Sequence, residues 1–324
     1  MAADERYGSL LTWIAYIGIF GFIYLIGVVV PSVSFIMVVL LPLPMVYLAL
    51  DYHLKYGLLG LALAGLIIFL ALPEPEVLIT LGQYGLLGLG LGLLFKNMVS
   101  SGKILIFAIL ISLGLAAGSL GAAYYLSGTN LLVLSPEDRQ TLIEQWKAMN
   151  EQVGLFQEEV FTEGLSGDEK ESLQYLADLY EYYLPSQVAV ATAFATILTF
   201  IFATFLAVRW GRGVIPGPAF VEMYLPWYSI WLLIIGLLLL LLGENYIEAM
   251  AKPGKNLLFV LACLYLVMGL SVFVYYYKKI QALLLLKLLI VAALVFCYPL
   301  SICLLVLIGA TDPLINFRRL PRVE

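Results

Sequence analysis

The chain has 324 residues, of which 63% are hydrophobic and only 12% charged, where a soluble globular domain carries about 25% charged side chains. A water-soluble fold of this composition would leave large exposed apolar patches, so lipid is the medium around most of it. The net charge of −5 is uneven: residues 134–184 hold twelve acidic and three basic side chains, a balance of −9, which leaves +4 elsewhere. No basic stripe is concentrated enough to displace counterions from phosphates, which argues against nucleic-acid binding.

A hydrocarbon core about 30 Å thick needs about 20 apolar residues per helical crossing, and roughly nine stretches approach that length. The short start, Met1 to Ser9, precedes an apolar run too long for a signal-peptide core and without an A-x-A site, so Leu10 to Val30 reads as a retained first span ending at Pro31. The second span, Val33 to Leu50, contains Pro42 and Pro44 and is expected to be kinked or broken. Asp51, His53 and Lys55 form a polar joint. The third span is Gly57 to Leu72, closed by Pro73 to Glu76. The fourth, Val77 to Phe95, carries Gly82, Gly85, Gly88, Gly90 and Gly92. The fifth, Ile104 to Leu126, carries Gly114 and Gly118 at small-xxx-small spacing, with Gly121 one turn on. Bare backbone lets helices approach closely in lipid. These glycines therefore read either as tight packing or as a ligand path.

Residues 134–184 are the one sizeable polar segment. Ser135 and Pro136 open a helix as cap and first-turn proline. Leu142, Trp146, Met149, Val153, Phe156 and Val160 then recur at spacings of 3 and 4, one apolar stripe. Gly164 breaks it, and Ser166 to Glu169 form a capping box for a second helix carrying Leu173, Leu176, Tyr180 and Tyr183. The expectation is an antiparallel hairpin. Its stripe either docks a partner or closes on the protein itself.

The sixth span is expected after Pro185, from Val188 to Val208, with Ala189, Ala191, Ala193 and Ala195 read as a smooth packing or docking face. Arg209 and Arg212 follow, then an elbow over 211–227 with Trp227, Tyr228 and Trp231 at interfacial depth. The seventh span is Ser229 to Leu242, the eighth Leu257 to Tyr277, and the ninth lies within Leu283 to Ile308 with Pro299 inside. Gly309 to Pro313 and Asn316 to Arg319 read as a tail. The fold class is all-α: a polytopic transmembrane bundle of about nine spans with one extracytoplasmic helical hairpin. Its regions are 1–133, 134–185 and 186–324.

Lys96 and Lys103, Arg209 and Arg212, and Lys278 and Lys279 fall on one side of such a bundle, which the positive-inside rule makes cytoplasmic. The N-terminus is then inside and the hairpin outside. Nine crossings place Arg318, Arg319 and Arg322 outside, against that rule. Either the ninth segment is re-entrant around Pro299 or an earlier one does not cross.

Polar groups at membrane depth tend to be functional. Gln83 and Tyr84 in the fourth span, with Tyr124 and Tyr125 at the end of the fifth, are the candidate ligand contacts; an interhelical hydrogen bond is the plainer role for Gln83. Asp312, Phe317 and Arg318 form a C-terminal motif in which a salt bridge or cap is favoured over catalysis. Cys263, Cys297 and Cys303 lie in apolar spans without ligand spacing, and His53 is the one histidine, so no metal, cofactor or catalytic residue is assigned. No P-loop is present.

Three stretches carry a family likeness: LPLPMVYLALDYHLKYGLLGLALAGLIIF; YYLPSQVAVATAF with Arg209 to Gly213 and Leu225-Pro226-Trp227; and the closing GATDPLINFRR. Together they resemble the YybS family of bacterial membrane proteins, with Asn316 where an acidic residue is expected. That family is distantly similar to the substrate-binding components of energy-coupling-factor importers and to MreD-like cell-shape proteins. The resemblance implies a bacterial cytoplasmic-membrane protein. It carries over no activity, but gives Ala189 to Ala195 a docking part. Two functions stay open. One is a transport-type protein binding a small solute or lipid-like ligand between helices. The other is a non-catalytic scaffold whose hairpin binds an envelope protein. The expected partners are the bilayer, a membrane or envelope protein, and further copies of the chain. An enzyme is not expected, because no acid, base or metal constellation is visible.

Overall fold

The computed structural model describes residues 10–97, 100–128, 130–153, 169–212, 220–280 and 284–320, the side chains of residues 31, 101, 127, 149–153, 169–172 and 284 aside. These residues fold as helices α1 (Leu10–Val29), α2 (Ser34–Leu40), α3 (Pro42–Asp51), α4 (Leu54–Ala71), α5 (Pro75–Lys96), α6 (Ser101–Ser127), α7 (Pro136–Val153), α8 (Glu169–Arg209), α9 (Ile230–Asn245), α10 (Ala251–Lys279), α11 (Leu284–Phe296) and α12 (Tyr298–Ile315). Nine of the described helical segments are long and apolar enough to cross a bilayer, with Ser34–Asp51 counted as one. Two compact units divide the chain: residues 1–130 with 189–218, and 131–188 with 219–324.

In the first unit α3 and α5 run parallel in close contact. A Cβ on Gly88 would overlap Pro42 O and lie 2.8 Å from Met45 Cβ; one on Gly92 would overlap Val46 O. Glycine is required there because the neighbour is backbone. The second span is interrupted at its prolines, as expected: α2 ends at Leu40 and α3 opens on Pro42, though Ser34–Asp51 still counts as one crossing. Leu41 keeps helical dihedrals (φ −56°, ψ −43°), and only the amides that Pro42 and Pro44 lack are lost from the ladder. Thr199 of α8 adds a bond beside that gap, donating to Val39 O at 2.9 Å. Along α8, Ala195, Thr196, Thr199, Phe200, Ala203 and Ala207 are buried, a stripe at helical spacing. Phe200, Ala203 and Ala207 enter one core cluster with Val46, Leu91, Phe95 and Ala108.

Five helix ends meet at one end of this unit, those of α1, α3, α4, α5 and α8. Lys96 at the end of α5 donates to Tyr52 O at 3.1 Å, Trp13 near the start of α1 donates to Tyr56 O at 3.1 Å, and Arg212 beyond α8 reaches Asp51.

In the second unit α9 and α10 are antiparallel, while α10 and α12 are parallel. A Cβ on Gly269 of α10 would overlap the backbone of Leu305, and one on Gly309 of α12 would overlap Tyr265 O and lie 2.7 Å from Gly269 N. The ninth apolar segment is two helices: the chain breaks at Cys297 (φ −95°, ψ 38°) and Pro299 falls in the first turn of α12. A proline there needs no amide, so it starts a helix instead of kinking one. The expected tail Gly309 to Pro313 is helical, and its end returns to the C-terminal end of α10: the Tyr276 hydroxyl donates to Phe317 O at 2.6 Å. Lys278, Lys279 and Arg319 therefore share one end of this unit.

α7 and the first part of α8 form the expected antiparallel arm. Ser135 caps α7, accepting from Asp138 N at 3.0 Å. Arg139 pairs with Asp178 (2.6 Å) and Glu181 (3.1 Å), and Trp146 stacks edge-on with Tyr180 at 6.1 Å. Trp146 thus closes on its own hairpin. The side chains of Met149 and Val153, and all of Phe156, lie outside the described residues. Pro185 does not separate the arm from the sixth span: α8 passes through it as one 41-residue helix.

Candidate functional site

The last turn of α12 builds the most deeply buried charge among the described residues. Asn316 (φ 53°) and Arg319 (φ 52°) adopt the left-handed backbone, uncommon for any residue but glycine and most accessible to Asn. Between them Arg318 turns back under the helix. Its side chain is 0% exposed and that of Asp312 6%, with Arg318 Nη2 2.7 Å from Asp312 Oδ2. The same nitrogen donates to Met223 O at 2.6 Å. Nη1 donates to Val221 O at 2.8 Å and to Ser271 Oγ at 2.6 Å. Asp312 Oδ1 accepts from Phe317 N at 3.1 Å, so the carboxylate both pairs and caps. Ser271 donates onward to Phe220 O at 2.6 Å.

A buried ion pair is tolerable only when its remaining donors and lone pairs are met. Here oxygens from three elements do so: the 3-10 turn Phe220–Glu222 with Met223 after it, α10 and α12. Arg318 Nε alone has no partner among the described residues. Two tyrosines seal the outside, Tyr275 donating to Arg318 O at 3.2 Å and Tyr276 to Phe317 O.

A second polar device lies in α8. Pro185 removes one amide from the helix, and the next turn is opened by Asn256 of α10. Ser186 N donates to Asn256 Oδ1 at 3.0 Å, and Asn256 Nδ2 donates to Tyr182 O at 3.1 Å. The amide thus stands between two groups that would otherwise bond each other, one of the recognised causes of a helix bend. Ser186 Oγ donates to Tyr183 O at 2.7 Å, and Lys252 and Lys255 each lie 5.7 Å from the Tyr182 ring centre.

A third cluster closes the end of the first unit. α8 stops in a Schellman turn: Gly211 takes φ 67°, Gly211 N donates to Val208 O at 3.1 Å and Arg212 N to Ala207 O at 2.9 Å. The turn aims Arg212 at Asp51 (2.6 Å) and the Tyr16 hydroxyl (3.0 Å), while Tyr16 donates to Asp51 Oδ2 at 2.7 Å. The guanidinium lies 5.0 Å from the Tyr47 ring centre and 5.5 Å from that of Trp210. Burial opposes its charge, but Tyr16 and Asp51 more than offset this and raise its pKa.

The sequence-derived ligand residues do not form one enclosed site. Tyr84 packs against the core cluster of Phe20, Ile68 and Leu81, Gln83 is half-buried beside it, and Tyr124 and Tyr125 are exposed at 61% and 88%. A Cβ added at Gly114 or Gly118 would meet nothing within 4 Å, so these glycines pack on no described neighbour, unlike Gly88 and Gly92. Nor do the four alanines share a face. Steps of two along a helix alternate sides: Ala195 is buried, Ala191 exposed, and Ala189 and Ala193 lie between. Asp312, Phe317 and Arg318 do come together. Ser271, Asn256, Asp51 and Tyr16 escape a sequence reading, since their partners are 35 to 196 residues away or unpatterned backbone.

Apolar helices of spanning length, knit by glycine seams and paired buried charges, define a polytopic helical membrane protein. The family described as "Predicted membrane protein (DUF2232)" matches residues 18–313, and the chain belongs to it. No curated protein and no solved structure matches.

Proposed function

We propose that this protein is a transport-type, non-enzymatic membrane protein that binds a small solute at the Asp312 end of its C-terminal unit. One observation supports the reading: a carboxylate within a candidate span faces carbonyls of a single 3-10 turn and its end, Val221 and Met223, across a single cation. Ionisable groups at membrane depth mark solute or ion pathways, and transporters build sites from unwound backbone carbonyls near helix ends. The likeness to YybS proteins, and through them to importer substrate-binding components and MreD, agrees with this reading. So does a bacterial inner-membrane location with a cytoplasmic N-terminus. The ends bearing Lys96 and Arg212, and those bearing Lys279 and Arg319, are then the cytoplasmic ones.

The test is a thermal-shift screen of purified protein against cations, vitamins, metals and lipid precursors. Uptake into proteoliposomes of any stabilising compound follows, with Asp312→Asn as control. The absence of both stabilisation and Asp312-dependent uptake refutes the reading.

The continuous helix α8 favours a second function, a scaffold. It joins an acid-rich arm to a membrane span without a linker. Between the arm's helices lies a cleft of about 420 Å³ lined by Arg139, Ile143, Lys147 and Leu173. If deletion of residues 136–183 leaves every co-purifying envelope protein bound, the scaffold is excluded.

A further inference from the structure

We propose that the oxygen cage of Val221, Met223, Ser271 and Asp312 is a receptor for a guanidinium group, and that Arg318 is its resident occupant, plugging in cis a site that accepts a guanidinium-bearing solute. This deepens the transport-type reading by naming a ligand class, but the binding claim can be judged without any transport.

The geometry is that of a fork receptor. Each terminal nitrogen of Arg318 meets two oxygens, at 2.6 to 2.8 Å, and the four acceptors comprise two carbonyls, one hydroxyl and one carboxylate. A planar guanidinium presents five N–H groups in a fixed fork, whereas an ammonium or a metal ion is a point charge. Acceptors spread along such a fork therefore select the former.

Two of the walls have holds besides the occupant. Ser271 is held by its bond to Phe220 O. Asp312 is held by Phe317 N and by α12, which is locked to α10 where Gly309 meets Gly269. Emptied of Arg318, the cage keeps these contacts and an unpaired carboxylate.

The plug, by contrast, is a short strap under strain. Two of its residues take the left-handed backbone, a conformation that persists only where surroundings enforce it. Its outer hold consists of the Tyr275 and Tyr276 hydroxyls and the pair of bonds between Asn316 and Leu320, both at 2.9 Å. A solute guanidinium that takes over the four cage bonds leaves these, and the bond from Phe317 N to Asp312 Oδ1, to hold the strap down.

The experiment uses the full chain in detergent. Arg318→Ala is expected to lower the apparent Tm by about 5 °C or more, because it strands a buried carboxylate. Guanidinium chloride at about 10 mM, far below denaturing levels, should restore at least half of that loss by occupying the cage. Sodium chloride and methylammonium chloride should not, and the Asp312→Asn/Arg318→Ala double variant should show no recovery. Equal recovery with sodium or methylammonium, or no recovery, overturns the receptor. If Arg318→Ala does not survive purification, it is purified with and without guanidinium throughout. An unchanged monodisperse fraction is then the overturning result. For the plug, chymotrypsin cleavage after Phe317 in the wild-type protein should quicken with methylguanidinium and not with methylammonium; an unchanged rate overturns it. None of these readouts involves uptake, so an inactive proteoliposome assay leaves them intact.

Discussion

Replacing Gly309 by alanine, with Gly114→Ala as its counterpart, tests the packing logic of the whole molecule. A methyl on Gly309 would overlap Tyr265 O and stand 2.7 Å from Gly269 N. The obstacles are main-chain atoms of α10, so no rotamer change relieves them, and the α10–α12 seam must open by about 1 Å. A gap of that size forfeits about a quarter to a half of each van der Waals contact along it, and overpacking costs about 1–3 kcal/mol. Alanine returns about 1 kcal/mol in helix propensity. The expected net loss is about 0–2 kcal/mol, toward the upper end because the obstacles are main-chain atoms. At Gly114 nothing lies within 4 Å, so only the propensity term acts, and the expected change is a gain of 0 to about 1 kcal/mol. Unfolding in mixed micelles, followed by tryptophan fluorescence against rising SDS fraction, ranks the two. Gly309→Ala must shift to lower SDS and Gly114→Ala must not. Equal midpoints, or a larger loss at Gly114, refute the assignment of one glycine to a seam and the other to an open face.

Other perturbations address the polar devices. Asn256→Leu removes both bridging bonds in α8 and leaves the Ser186 amide to find Tyr182 O unaided. A loss of about 1–2 kcal/mol is expected, with faster hydrogen exchange over residues 182–187; unchanged exchange would exclude the bridge. Asp51→Asn strips the charge facing Arg212, both side chains being about a quarter exposed. A loss near 1 kcal/mol, shrinking at high salt, is expected from SDS midpoints. Arg139→Ala frees Asp178 and Glu181 on the arm; it should cost under about 1 kcal/mol while increasing quenching of Trp146 by acrylamide. An unaltered quenching constant would mean that this pair does not hold the arm closed.

Span number and helical class were legible in the sequence because lipid imposes one rule on every crossing, a length of apolar helix, and composition reports it directly. The start of α7 was legible too, since Ser135 and Pro136 act locally. What escaped was decided by partners. Pro185 read as a break, yet it lies within α8, where Asn256 bonds beside the missing amide. Pro299 read as interior but starts a helix. Glycine spacing did not tell Gly88, pressed on Pro42, from Gly114, which touches nothing described; the motif is the same and only the neighbour differs. Within the site, Asp312 and Arg318 stood out because they are six residues apart across a helix end. Ser271 and the carbonyls of Val221 and Met223 carry no pattern, and only the fold brings them to the arginine.

The unbroken length of α8 has a mechanical corollary. Its 41 residues extend about 62 Å at 1.5 Å per residue, roughly twice the depth of the oily layer. Such a rod behaves as a lever whose weakest cross-section is the turn after Pro185, where a borrowed amide replaces the rod's own rung. A sideways pull on the arm end would flex that turn before any other and deliver its load to the first coils of α10 through Asn256.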